Sequence, residues 1–296
     1  MCCLFIYIVF FVMVAFSIGN IHIYWYGIFY LVWFLVAYLF LSWVAKTKIF
    51  KWQKKVQDIL EKWLEDLFVS LILWVIIWWR LWEVFIYEWP YFSTHLSEIF
   101  AVWHGWMSFF GWIIWVLVAI FVFSIIKKLK FNDVVILLGL LIVVVPFAIM
   151  LWRFGNYLNQ ELYGVVVPQS FMASHESLSL FLDKISIFHV YNQVDENIRV
   201  NTNFLAIIFE WFIPLIVGIV LFVRQLKKRL YSPYLNIWVF VLLYSIARFV
   251  LEYFRAGSQT QFVWIFTKSQ WIFLVFFVVW ICLLCVSRNK KFELWE

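Results

Sequence analysis

Seven stretches of about twenty predominantly apolar residues recur along this chain, at roughly 22–44, 66–88, 106–126, 132–152, 204–223, 234–253 and 267–287. Each is long enough to cross the hydrocarbon layer of a bilayer as a helix, and backbone polar groups in lipid are satisfied only inside helices or closed barrels. The expected fold is therefore all-α: a polytopic integral membrane protein with about seven transmembrane helices, forming one membrane-embedded domain over 1–296. Composition agrees, because 66% of the 296 residues are hydrophobic, 14% are charged and mean hydropathy is +0.94, which excludes a water-soluble domain.

The net charge of +6 does not point to nucleic acid, since the basic residues fall in short clusters between the apolar runs. Clusters follow the first run (Lys46, Lys48, Lys51, Lys54, Lys55, Lys62), the third (Lys127, Lys128, Lys130), the fifth (Arg224, Lys227, Lys228, Arg229) and the seventh (Arg288, Lys290, Lys291). This alternation puts those loops in the cytoplasm and the start of the first span outside. Met1–Phe16 reads as a further short hydrophobic segment or one lying along the outer interface. The stretch 47–65 reads either as an amphipathic helix on the inner face or as a solvated loop. The longest polar region, 156–203, falls outside and is expected to form an extracytoplasmic cap in which Ser170, Ser174, His175, Glu176, Ser177, Asp195, Glu196 and Arg199 carry no direct chemistry. Cys282 and Cys285 share a helix face, yet no neighbouring His or carboxylate completes a ligand set, so no metal is expected.

Some charges do not suit lipid. Arg80, Arg153, Arg248 and Arg255 lie in or beside the outer halves of spans, where a charge costs about 2.5–3.5 kcal/mol on insertion scales and so faces a protein interior or a cavity. Arg248 and Glu252, four apart, are spaced to pair along one helix face. Several arginines converging near the outer leaflet would suit an anionic headgroup, because guanidinium binds phosphate through a fork of hydrogen bonds.

Five segments carry a resemblance. Ile23–Phe29 (IYWYGIF), Trp78–Val84 (WWRLWEV), Val102–Gly111 (VWHGWMSFFG), Arg153–Gly164 (RFGNYLNQELYG) and Ser245–Arg255 (SIARFVLEYFR) occur in the order seen in prolipoprotein diacylglyceryl transferases. RFGNYLNQELYG resembles the signature of that family with one Gly replaced by Gln160. The resemblance implies a seven-span enzyme of the bacterial cytoplasmic (inner) membrane whose site opens to the outer leaflet. Such an enzyme transfers the diacylglyceryl group of phosphatidylglycerol to the lipobox cysteine in a prolipoprotein signal peptide. It implies the lipid bilayer as environment and no cofactor. It further implies catalytic roles for Arg255, Tyr26 and Glu161, and phosphatidylglycerol binding by Arg153, Asn156 and Arg80.

The chain departs from the family at three places. Phe110 stands where the family usually has His, with His104 six residues earlier. The family's HPSQLYE element is here VNTNFLA, Val200–Ala206, flanked by Arg199 and Glu210. A non-catalytic homologue and a small-solute or lipid transporter are the alternatives, the latter without the internal repeats that transporters tend to carry.

The third departure is compositional: 21 Trp against 9 Gly. Trp33, Trp74, Trp78, Trp79, Trp82, Trp106, Trp112, Trp115, Trp152, Trp211 and Trp280 fall where the resembling family carries Gly, whereas Trp25 and Trp103 fall where it can have Trp. Membrane helices use Gly to approach closely, and overfilling one packing site costs about 1–3 kcal/mol. The expectation is that UGA codons are written as Trp here and decoded as Gly in the source cell, leaving crowded indoles between spans two, three and four of the chain as written. A Trp-rich lineage is the alternative.

Overall fold

The computed structural model describes residues 14–18, 21–82, 84–85, 89–100, 109–257 and 262–267, with short stretches of 269–281 and 292–293 beyond. A hairpin of β1 (Val14–Ile18) and β2 (Ile21–Tyr24) leads into α1 (Trp25–Thr47). Then come α2 (Lys54–Lys62), α3 (Leu64–Trp82), the short α4 (Trp89–Phe92), a 3-10 turn at Leu96–Phe100, α5 (Phe109–Ile126) and α6 (Phe131–Leu158). The 156–203 segment contains α7 (Gln169–Ser174), α8 (Glu176–Lys184) and the antiparallel pair β3 (Phe188–Val190) and β4 (Ile198–Val200). After it α9 (Thr202–Ala206), a π-helical turn (Ile207–Phe212) and α10 (Ile213–Lys227) run on as one rod. The chain continues through β5 (Leu230–Tyr231), α11 (Pro233–Leu251), β6 (Phe262–Val263), β7 (Phe266–Thr267) and β8 (Phe292–Glu293), with β6 pairing β7 and β8 pairing β5. The described chain is thus mostly helical, as expected, with short strand pairs that an all-α reading does not contain.

Among the described residues, four helices are long and apolar enough to cross a membrane: Trp25–Thr47, Phe131–Leu158, Thr202–Lys227 and Pro233–Phe254. They match four of the expected runs. The second and third runs are helical as α3 and α5, and the seventh falls largely outside the described residues. On α1 the rows are distinct: Leu31, Leu35, Leu39 and Trp43 face outward at helical spacing, while Trp33, Ala37, Leu41 and Val44 are buried.

The two ends of the bundle are built differently. At one end Ile49, Phe50, Val56, Ile59 and Leu60 join Leu41, Ile136, Leu140 and Phe222 in a single apolar core. Here the basic loops meet: Phe50 packs edge-on to Tyr231 at 5.1 Å, and Lys127 sits over the Trp63 ring at 3.1 Å and 3.3 Å from Asp66. The 47–65 stretch, open between helix and loop, contains α2, whose Val56, Ile59 and Leu60 are buried in this core. The opposite end is polar inside.

Candidate functional site

At that polar end α6, the π turn and α11 bring ionised side chains together. The π turn has a local cause. Pro214 has no N–H with which to bond the Glu210 carbonyl four residues back, and the ladder shifts by one residue, so that the Ile213 N–H donates to the Ile208 carbonyl. The extra residue turns Glu210 wholly inward, to 0% exposure. There its carboxylate accepts from Arg153 Nε at 2.9 Å and Nη2 at 2.8 Å, and from Arg248 Nη1 at 3.3 Å. Arg248 Nη2 reaches Glu252 Oε2 at 2.8 Å, and Arg255 Nη1 reaches the same oxygen at 3.2 Å. Thr267 Oγ1 donates to the other Glu252 oxygen at 3.3 Å. The result is a continuous chain, Arg153–Glu210–Arg248–Glu252–Arg255.

Three guanidinium groups face two carboxylates, so one positive charge is in excess. Burying an ion is tolerable only when it is paired, and removing one partner of such a pair costs about 3–5 kcal/mol. The excess gathers at Arg255, whose Nε is buried with no hydrogen-bond partner among the described residues. Burial, followed by the charges of Arg248 and Arg153, pulls the Arg255 guanidinium below its usual pKa. It stays protonated, since arginine does not lose its proton in proteins. An anion placed beside it would relieve both the missing partner and the surplus charge.

Beside this chain lies a second group. Tyr26, in the first turn of α1, points its hydroxyl at Asn156 Oδ1 (2.5 Å) and Glu161 Oε1 (2.6 Å). One proton cannot serve both. Asn156 is 1% exposed and its Nδ2 has no partner among the described residues, so turning the amide over lets Nδ2 donate to the tyrosine oxygen while the tyrosine donates to Glu161. Asn159 Nδ2 also donates to Glu161 Oε1, at 3.0 Å. Gly155 makes the approach possible, since a Cβ there would stand 2.5 Å from the Tyr26 ring.

The signature segment then ties both groups together through its backbone. Asn203 Nδ2 donates to the Glu161 carbonyl and Thr202 Oγ1 to that of Leu162. Gly164 N–H bonds the Val200 carbonyl of β4, Val165 N–H the Phe254 carbonyl, and Ala256 N–H the Tyr163 carbonyl. These bonds hold the end of α11, and with it Arg255, against the segment that carries Arg153, Asn156 and Glu161.

Five of the six expected site residues therefore meet in two adjoining groups: Arg153 and Arg255 in one, Tyr26, Asn156 and Glu161 in the other. Arg80 does not join them. It is 3% exposed, donates to the carbonyls of Ile99 (2.9 Å) and Glu98 (2.5 Å), and lies over the Phe92 ring at 4.9 Å. The Arg248–Glu252 pair forms, but as the middle of a longer chain. Glu210 and Glu252 were missed as site residues; the available signal was a carboxylate inside an apolar span, which needs a cation as much as a buried arginine needs an anion. His104 lies outside the described residues, as does the side chain of Phe110.

A bundle of apolar helices with an arginine–glutamate chain and a tyrosine–carboxylate pair at one end defines a membrane protein with surplus positive charge buried at that end. The family model for prolipoprotein diacylglyceryl transferase matches residues 13–286, and the chain belongs to that family. It is similar to proteins named phosphatidylglycerol--prolipoprotein diacylglyceryl transferase in several bacteria. The one from Lactobacillus acidophilus is 28% identical, over 94% of this chain and 90% of its own length. Those from Listeria monocytogenes and Helicobacter pylori are each 29% identical, over 94% of this chain and over 90% and 94% of their own lengths respectively.

Proposed function

We propose that this chain transfers the diacylglyceryl group of phosphatidylglycerol to the thiol of a lipobox cysteine in a prolipoprotein, in a bacterial inner membrane. The observation that carries this reading is the surplus positive charge of the arginine–glutamate chain, with the partnerless Arg255 Nε at its end, in the group adjoining the Tyr26–Glu161 pair. The thiolate sulfur attacks the glycerol carbon that bears the phosphate ester; a C–S bond forms, the C–O bond breaks, and the electron pair leaves with glycerol phosphate. Arg153 and Arg255 bind and stabilise that departing phosphate. Glu161 takes the thiol proton, directly or through the Tyr26 hydroxyl, which gives the site a base that does not depend on a histidine at position 110. Asn156 orients the tyrosine, and Arg80 holds the 3-10 turn at the outer rim.

The orientation follows from the basic clusters: the core end in the cytoplasm, the arginine chain and the 156–203 cap outside. The proposed seventh crossing joins Thr267, bonded to the outer chain through Glu252, to Phe292, paired with Tyr231 at the inner end.

The test is transfer in proteoliposomes containing phosphatidylglycerol and a labelled lipobox peptide, read as the lipid-shifted product. Arg153→Ala and Glu161→Gln are each expected to lower the rate by about a hundredfold or more while the protein still inserts. An inserted, folded wild type that makes no product would overturn the reading in favour of a non-catalytic homologue.

A further inference from the structure

A cavity of about 630 Å³ lies at the end of the bundle opposite the arginine chain, between the last turns of α1, the end of α2 and the start of α3. Its volume falls in the range of ligand sites. Tyr38, Ser42, Lys46, Lys48, Glu61 and Glu65 line it, with Lys62 at the rim. Lys62 is engaged by Asp58 at 2.8 Å, whereas the Lys46 and Lys48 ammonium groups have no ion-pair or hydrogen-bond partner among the described residues. The wall is built rather than incidental: Gln57, 8% exposed, donates to the Ala45 carbonyl at 3.0 Å and to Glu61 Oε1 at 2.9 Å, fixing the carboxylate that faces the opening.

We propose that this cavity holds the headgroup of an inner-leaflet phospholipid that carries a hydrogen-bond donor beyond its phosphate. Lys46 and Lys48 supply two free ammonium groups for the phosphate. Glu61 and Glu65 would repel a bare phosphate, but they accept from an ammonium or hydroxyl on its far side. Depth selects a lipid over a soluble phosphate ester. Tyr38 lies nine residues before the end of α1, about 13 Å below it at helical rise, so the cavity reaches past the headgroup level. Leu35, Leu39 and Trp43, 56%, 56% and 48% exposed, run alongside at four-residue spacing and give acyl chains an apolar track. The placement of this end in the inner leaflet rests on the orientation proposed above. The site itself takes no part in the transfer reaction.

Native mass spectrometry of the full chain in detergent tests this, with phosphatidylethanolamine as probe so that the outer site does not contribute. Phosphatidylcholine of the same acyl chains, whose headgroup nitrogen is methylated, is the comparison. One retained phosphatidylethanolamine is expected, at roughly ten times the occupancy of phosphatidylcholine. The Lys46→Ala/Lys48→Ala variant should lose it, and Glu61→Gln/Glu65→Gln should lose the preference between the two lipids. Arg224→Ala/Lys227→Ala, which removes charge from the same end without touching the cavity, should keep it. Transfer activity is expected to survive in all three variants, so failure here is separable from failure of the enzyme reading. Equal retention of both lipids, equal loss in the Arg224/Lys227 variant, or an adduct with glycerol phosphate but none with phosphatidylethanolamine would overturn the proposal.

Discussion

Gln160 stands in the left-handed region with φ of 53°, where the resembling signature has Gly. For a residue with a Cβ this conformation costs about 1–2 kcal/mol, and the neighbouring Leu162, φ 56°, is held the same way. The strain has a use, because the two reversals swing Glu161 back toward Tyr26. Gln160 recovers part of the cost by accepting from the Gln193 N–H at 2.8 Å. Gln160→Gly should therefore leave stability within about 1 kcal/mol, strain relief being set against chain entropy and the lost bond. Gln160→Val, whose branched Cβ resists this region, should lower it by about 1–2 kcal/mol. Thermal unfolding in detergent reads both, and a Val variant as stable as wild type would remove strain from the account of this turn. Arg153, Asn156 and Glu161 were legible at this scale from the signature. Glu210 was not, because its partner lies 57 positions away and only packing brings them together.

Two elements decide whether the residues work as a group. One is the π turn that inverts Glu210; the other is the backbone clamp centred on Gly164. A Cβ at Gly164 would stand 2.3 Å from the Val200 carbonyl oxygen and 2.8 Å from that of Phe254, both backbone atoms with little freedom to move. Gly164→Ala should cost about 1–3 kcal/mol and push the end of α11 outward, so that transfer falls more than stability alone explains, through misplacement of Arg255. Gly218, where nothing lies within 4 Å of an added Cβ, is the control: Gly218→Ala should be neutral or stabilising. Equal effects of the two substitutions in the transfer assay and in unfolding would show that the clamp does not position the site. Hydropathy located the long spans well, since lipid imposes one requirement along the whole run. It did not locate the clamp, whose β-bridges depend on chain segments far apart in sequence.

Across the whole molecule the balance of Trp and Gly remains the anomaly. Trp33 packs beside Phe34 in the buried row of α1, and Trp152 lies 5.2 Å from the Tyr26 ring. Trp211, next to Glu210 in the chain, has its Nε1 buried without a hydrogen-bond partner among the described residues, a cost of about 1–3 kcal/mol. The side chains of Trp78, Trp79, Trp82, Trp106, Trp112, Trp115 and Trp280 lie outside the described residues, and with them most of the expected crowding between spans two, three and four. The genomic codons carry the test. UGA at Trp78, Trp79, Trp106, Trp112 and Trp211, with UGG at Trp25 and Trp103, is the expected pattern, and mass spectrometry of the native protein should show Gly at the UGA sites. UGG throughout would establish a Trp-rich lineage instead.

The bilayer location and the family were legible in the sequence alone, and the clustered charges set the expected alternation of inner and outer loops. Each depends on a property repeated along the chain, whether apolar length, clustered charge or an ordered set of motifs, and needs no knowledge of which helices touch. Only the tertiary structure decided that Arg153 and Arg255 belong to one ionic chain, that Glu210 and Glu252 carry it, and that Arg80 stands apart from it. A buried charge states in sequence that it must have a partner. Which partner it has is settled by helix packing, a backbone ladder shifted at one proline, and a glycine small enough to let two strands of chain meet.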